Sequence, residues 1–173
     1  MSVIETDIPR QNLLDAKAVA TAYFSDSYRI PLRRCDMAMP ELFFGIFGHH
    51  PAWIKALLIV RNRLAALCGL DVPSDAAILR PVPEAHYRVG EPIGPWPIFN
   101  MAENELIVGR DNKHLDFRLS ILREATGQQA VATVSTICNV HNAYGRLYLR
   151  LIIPFHKFGL RRLLASSVQS GRV

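Results

Sequence analysis

Four stretches, Ile98–Met101, Glu105–Arg110, Lys113–Arg123 and Gln129–His141, alternate apolar and polar side chains and are separated by short turn sequences. Alternation with period two marks strands that bury one face. Glu103-Asn104, Asp111-Asn112 and Thr126-Gly127 read as two-residue hairpin loops. The first sets Met101 opposite Leu106 and Phe99 opposite Val108. The second sets Val108 opposite Leu115 and Leu106 opposite Phe117. The third sets Leu115, Phe117, Leu119 and Ile121 opposite Cys138, Thr136, Val134 and Ala132. All three loops place the apolar residues on one side, and a slip of one residue at any turn would mix the faces. The other face then carries Glu105 and Ser135 opposite Arg118, His114 opposite Asn139, and Asp116 between His114 and Arg118.

A sheet with one apolar face must bury it against another layer. The long element left to do so is the C-terminal segment Ala143–Ser167, which reads as a helix. Leu147, Leu151, Phe155 and Phe158 lie along one side of it and are expected to face the sheet. Arg146, Arg150, Lys157 and Arg161 form a basic stripe expected to face away, and Pro154 in the interior predicts a kink.

Upstream, Val19–Ile30 reads as a first strand ended by Pro31. A short helix at Pro40–Phe47 follows, capped by Asp36 and broken by Gly48. Pro51 opens a second helix, in which Trp53, Leu57, Val60, Leu64 and Leu67 form one apolar stripe closed by Gly69. Asp71–Pro83 is a proline-rich connection with a short strand at Ala76–Leu79. Glu84–Val89 is a further strand, and Gly94-Pro95-Trp96-Pro97 forms a corner. The fold class is α+β. A curved antiparallel sheet has two short helices after its first strand and a long C-terminal helix packed across it, the helix-grip arrangement. Residues 16–168 form the single domain, between an irregular arm (1–15) and a tail (169–173).

That element order resembles the START-like, Bet v 1-like (SRPBCC-type) proteins, which hold lipids, sterols or aromatic compounds between sheet and helix. A closer resemblance lies in HPAWIKALLIVRNRL (His50–Leu64), IGPWPIF (Ile93–Phe99), ENELIVGRDNKHLDFRLS (Glu103–Ser120) and VSTICNVHNAYGRLYLRLIIPFHKFGLRRLL (Val134–Leu164). These segments resemble the bacterial domain-of-unknown-function family 2867. In that family the domain occurs alone or behind a nucleotide-binding module, whose GxGxxG is missing here. The resemblance implies a fold and no activity.

No apolar run reaches the roughly 18 residues of a membrane span. The opening MSVIETDIPR lacks a basic stretch followed by an apolar one, so secretion is not expected and a cytoplasmic location is. Cys35, Cys68 and Cys138 are an odd, widely spaced set and read as reduced thiols. Residues 143–173 hold six basic side chains and no acidic one. Subtracting those six from 20 leaves 14 basic against 15 acidic in the first 142, so the net charge of +5 comes from the C-terminal helix and tail.

The residues point to a binding module. Trp53, Phe99, Leu106, Phe117, Leu119, Leu151 and Phe155 would line a cavity between sheet and helix, with Trp96 at its mouth, for a small apolar or aromatic molecule. The alternative is an enzyme of cyclase, dehydratase or hydrolase type built on His114, Asp116, Arg118 and His141, in which Asp116 would orient a histidine base. A solvated Glu105–Arg118–Asp116 ion network is the plainer reading of that face. His114, Asp116 and His141 also match a two-histidine, one-carboxylate set, but the expectation is no metal and no cofactor. His49-His50 reads as a helix-cap region and His156 as a partly exposed helix histidine. Nucleic-acid binding is not expected, since the basic stripe lacks interleaved aromatics. Weak contact of that stripe with an anionic membrane surface is the third reading.

Overall fold

The computed structural model describes residues 3–49, 59, 63, 87–126 and 129–173. Of the expected second helix, Ile59 and Arg63 are among them and are helical; Trp53, Cys68 and the Ala76–Leu79 strand fall outside.

Among the described residues, ten elements follow in order: β1 (Ile4–Glu5), α1 (Ala16–Ala20), β2 (Phe24–Leu32), α2 (Met39–Phe47), β3 (Pro92–Ile93), β4 (Trp96–Met101), β5 (Glu105–Asp111), β6 (Leu115–Thr126), β7 (Gln129–Val140) and α3 (Ala143–Gln169). The strands form one antiparallel sheet in the order β1-β2-β7-β6-β5-β4-β3. The sheet is curved and unclosed, α3 lies over β2 and β7, and α2 touches both β5 and α3. This is an α+β, helix-grip-like architecture. Among the described residues no helix is long and apolar enough to cross a membrane.

Phe99 apart, the faces are as expected although the registers are not. Met101 pairs with Leu106. Leu106 pairs with Ile121 and Val108 with Leu119, because the turn after Asp111 spans Asn112 to Leu115, closed by Asn112 N donating to Leu115 O at 3.1 Å. Each partner is displaced by four residues from the two-residue-loop expectation. Leu115 pairs with Val140 and Ile121 with Val134, a displacement of two. Even displacements leave every side chain on its original face. Leu106, Val108, Leu119, Ile121, Ala132 and Val134 accordingly share one buried core with Tyr28 and Ile30 of β2 and with α2 and α3.

The first strand begins at Phe24, not Val19, because Val19 belongs to α1, whose Asp15 cap accepts from Ala18 N at 2.7 Å. Pro31 does not end β2 but pairs with Val131. The pairing with β1 stops at Arg29, so β2 is an edge strand there and the missing N–H is tolerated. Ala38 rather than Asp36 caps α2, with Pro40 in its first turn, and Asp36 pairs with Arg34 instead. The described end of the Glu84–Val89 stretch, Tyr87 to Val89, is not strand. The Gly94-Pro95 corner is a two-residue hairpin loop joining β3 to β4, with Gly94 at φ +56°. The tail is docked, not free: Val173 is buried and Arg172 Nε donates to Gly45 O at 3.1 Å.

The largest difference concerns α3. Its buried side is Gly145, Leu149, Leu160, Leu163, Leu164, Ser167 and Val168. Leu147, Leu151, Phe155 and Phe158, expected to face the sheet, are 56–63% exposed. Two apolar stripes run along this helix, and the stripe interrupted by His156 is the one that meets the sheet. Pro154 lies within the continuous helix on the exposed side.

The arm before α1 is held to the other face by Glu105. Its carboxylate accepts from Ser120 Oγ at 2.6 Å and from Leu13 N at 2.7 Å. Burial raises its pKa above the ordinary 4.5, and the two hydrogen bonds oppose the rise. A raised folded-state pKa contributes stability that is complete below 4.5 and is lost as pH rises through the shifted value. The stability difference between wild type and Glu105→Gln is therefore expected to be largest in acid and to narrow towards neutrality. Thermal melts of both proteins across that range measure it, and a difference that grew with pH would contradict the assignment.

Candidate functional site

The outer face of the sheet, away from α2 and α3, is partly covered by α1 and the residues leading into it. Leu14, Ile107 and Ile137 form a small buried cluster there. Asn139 Nδ2 donates to Ala18 O at 3.0 Å and to Thr21 Oγ1 at 3.1 Å, tying α1 to β7. Beside this cluster opens a cleft of about 1080 Å³ between α1, β4 and the start of α3. Its floor is apolar (Leu14, Ile107, Ile137), and Lys17, Arg146, Phe99, Arg118, Asp116 and His141 stand around it.

Phe99 reaches this face through an irregularity in pairing. Ile98 lies opposite Val108 and Asn100 opposite Ile107, so Phe99 is the extra residue of a bulge and turns outward. Two-residue-loop register had placed it opposite Val108, on the core face. The guanidinium of Arg118 lies 3.6 Å from the Phe99 ring centroid, and its Nη1 donates to Asp111 Oδ1 at 2.6 Å. The expected Glu105–Arg118–Asp116 network does not form: Glu105 is buried under the arm, and Arg118 is paired with Asp111 and stacked on Phe99.

The expected pairing of His114 with Asp116 is replaced by another. His114 lies in the turn before β6, where its ring meets the side chain of Asn142, the N-cap of α3. The Asn142 Oδ1 accepts from Gly145 N at 3.1 Å, and His114 packs on Tyr144 with ring centroids 5.7 Å apart. His114 thus braces the start of α3. The histidine beside Asp116 is His141, with Nε2 3.0 Å from Asp116 Oδ2, while Asp116 Oδ1 accepts from Asn112 N at 3.2 Å. A backbone-anchored carboxylate against an imidazole orients the ring, which is what a general base needs. Among the described residues, no three histidine, cysteine or acidic side chains are placed to hold a metal.

The residues expected to line one apolar cavity do not share a surface. Leu106 and Leu119 are fully buried core, and Phe117 packs at its edge beside Trp96, ring centroids 6.0 Å apart. Trp96 also meets Phe43 and Phe47 edge-on, as a plug in an aromatic cluster. Leu151 and Phe155 face away from the sheet, Phe99 is in the outer cleft, and Trp53 lies outside the described residues.

His156, read from the sequence as a partly exposed helix histidine, has a buried partner. Between sheet and α3, His156 Nε2 lies 3.2 Å from both carboxylate oxygens of Asp26, whose side chain is 1% exposed. Thr136, opposite Asp26, is buried beside it, and its hydroxyl has no hydrogen-bond partner among the described residues. Tyr28, next on that face, has its pKa pushed up to about 12, first by burial and then by the charges of Asp26 and Glu5. The signal was legible in part: Asp26 and Tyr28 share a strand face, and His156 interrupts the α3 stripe Leu149, Ile153, Leu160.

A family model described as a protein of unknown function (DUF2867) matches residues 18–163. The chain belongs to this family. The DUF2867 match takes in the outer-face residues from Ala18 to Arg146 and the Asp26–His156 pair, and leaves Leu13 to Lys17 of the cleft outside it. A search of the curated proteins found no match.

Proposed function

We propose that this DUF2867 protein binds a small amphipathic molecule in the outer-face cleft, an apolar or aromatic body bearing an acid group. One observation carries this reading: an apolar floor is flanked by Lys17 and Arg146, neither of which has a carboxylate partner among the described residues. A floor of Leu14, Ile107 and Ile137 favours burial of hydrocarbon. Unpaired cations at its edge favour an anion, and the Phe99 ring offers a stacking surface. The cleft is of the size that holds small molecules, and its open side leaves one edge of the ligand in water. The sheet–α3 layer supports such a site less well, since Leu106 and Leu119 are packed there as core. The free thiols of Cys35 and Cys138 fit a reducing, cytoplasmic setting.

Calorimetric titration with a series of aromatic carboxylates and their uncharged amides tests it. The carboxylates are expected to bind more tightly than the amides, and Lys17→Ala with Arg146→Ala is expected to weaken the carboxylates by about tenfold or more while leaving the amides unchanged. Equal binding of acids and amides, or no loss in the double variant, would refute the acid-group assignment.

The Asp116–His141 contact on the cleft wall favours a second reading, in which the bound molecule undergoes proton abstraction or hydrolysis with His141 as the base. His141→Gln would then retain binding and lose turnover.

A further inference from the structure

The exposed side of α3 is the least expected surface of the molecule. Tyr144, Leu147, Leu151 and Phe155 fall at helical spacings of three and four and are 56–69% exposed. They make one continuous apolar stripe on a helix of 27 residues, roughly opposite its buried side. Singly exposed apolar residues are ordinary on a protein surface, but a contiguous row of them marks an interaction surface.

The charges beside the stripe indicate what it meets. Arg150 and Arg162 are exposed and have no carboxylate partner among the described residues. Lys157 and Arg161, on the same flank as Arg150, have Glu5 of β1 as their one carboxylate partner among the described residues, at 3.7 and 3.6 Å. No acidic residue occurs from 143 to 173. A second copy of the chain docked by this stripe about a two-fold axis would set one basic flank against another with no carboxylate on the helix to pair. A surface with apolar depth and negative charge suits it on both counts. Because α3 belongs to the folded domain by its other side, it would lie along such a surface rather than cross it.

We infer that α3 docks the protein onto anionic lipid bilayers. Leu147, Leu151 and Phe155 enter the boundary between headgroups and acyl chains, and Arg150 and Arg162 meet lipid phosphates. This site is separate from the outer-face cleft, so the two stand or fall independently.

Flotation of the full chain with phosphatidylglycerol–phosphatidylcholine vesicles, against vesicles of phosphatidylcholine alone, tests the inference. Wild type is expected to float with the anionic vesicles and much less with the neutral ones. Binding should fall as the screening length contracts from about 10 Å at 0.1 M salt to about 3 Å at 1 M. Leu151→Glu with Phe155→Glu is expected to reduce vesicle affinity by about tenfold or more, and Arg150→Glu with Arg162→Glu to abolish the preference for anionic lipid. All four positions are exposed, so circular dichroism and melting of the variants should match wild type. Wild type that stays free of anionic vesicles at low salt overturns the inference. So does an L151E/F155E protein that floats as well as wild type, or a wild-type dimer that L151E/F155E dissociates, since the stripe would then belong to a second copy.

Discussion

Leu164→Ala is expected to lower the free energy of unfolding by about 2–5 kcal/mol, and Leu151→Ala by no more than about 0.5 kcal/mol. Both residues are leucines on α3, separated by 13 positions, and both belong to apolar stripes in the sequence. Leu164 is fully buried in the main core with Tyr28, Ile30 and the residues of α2. Removing three carbons there forfeits their transfer free energy and leaves a void that close-packed neighbours cannot fill. Leu151 is 63% exposed, and alanine is the better helix former at an exposed site. Urea denaturation of the two variants, compared at constant m-value, decides which stripe faces the sheet. Equal losses, or a larger loss at Leu151, would mean that α3 is rotated from the orientation described.

His156→Leu is expected to cost about 3 kcal/mol, and more than Asp26→Ala. The two groups form one contact, yet their environments differ: the Asp26 side chain is 1% exposed and that of His156 26%. Taking away the histidine leaves a carboxylate buried against Tyr28 and Thr136 with its main partner gone, and breaking a buried pair in this way costs roughly 3–5 kcal/mol. The lower end applies because leucine restores apolar contact with Phe24, whose ring meets His156 edge-on at 5.6 Å. Taking away the aspartate leaves a histidine that can turn to water, for about 1–3 kcal/mol. A double-mutant cycle over the pair should return a coupling well above the few tenths expected of independent sites. Additive losses would show that the contact contributes nothing of its own.

The meander was legible in the sequence because alternation fixes faces, and faces survive any even error of register. Leu106, Val108, Leu119, Ile121 and Val134 were therefore placed correctly even though the turn after Asp111 spans four residues. What period two cannot reveal is a bulge: Phe99 reads as core by parity and stands in the outer cleft because one extra residue enters β4. A helix with two apolar stripes poses a similar ambiguity, and residue type misleads, since the stripe of four large side chains, Leu147, Leu151, Phe155 and Phe158, is the solvent-facing one. His114 illustrates a different limit. Its spacing from Asp116 suits a dyad on one strand, but β6 begins only at Leu115, so His114 turns to Asn142 and leaves Asp116 to His141. The cleft itself is not legible, because the alternation that suggests a strand from Val19 hides the end of the short helix Ala16–Ala20 that forms one of its walls.

The central claim is that the sheet buries one face as core and uses the other for a ligand. Its most direct measurement is amide chemical-shift mapping during titration with an aromatic carboxylate. Shifts should cluster at Lys17, Ile107, Ile137, Asn139, His141 and Arg146, on both sides of α1, and spare Leu106, Leu119 and Val134. Shifts concentrated on Leu106, Leu119, Val134 and the buried side of α3 would place the ligand between sheet and helix and contradict the account.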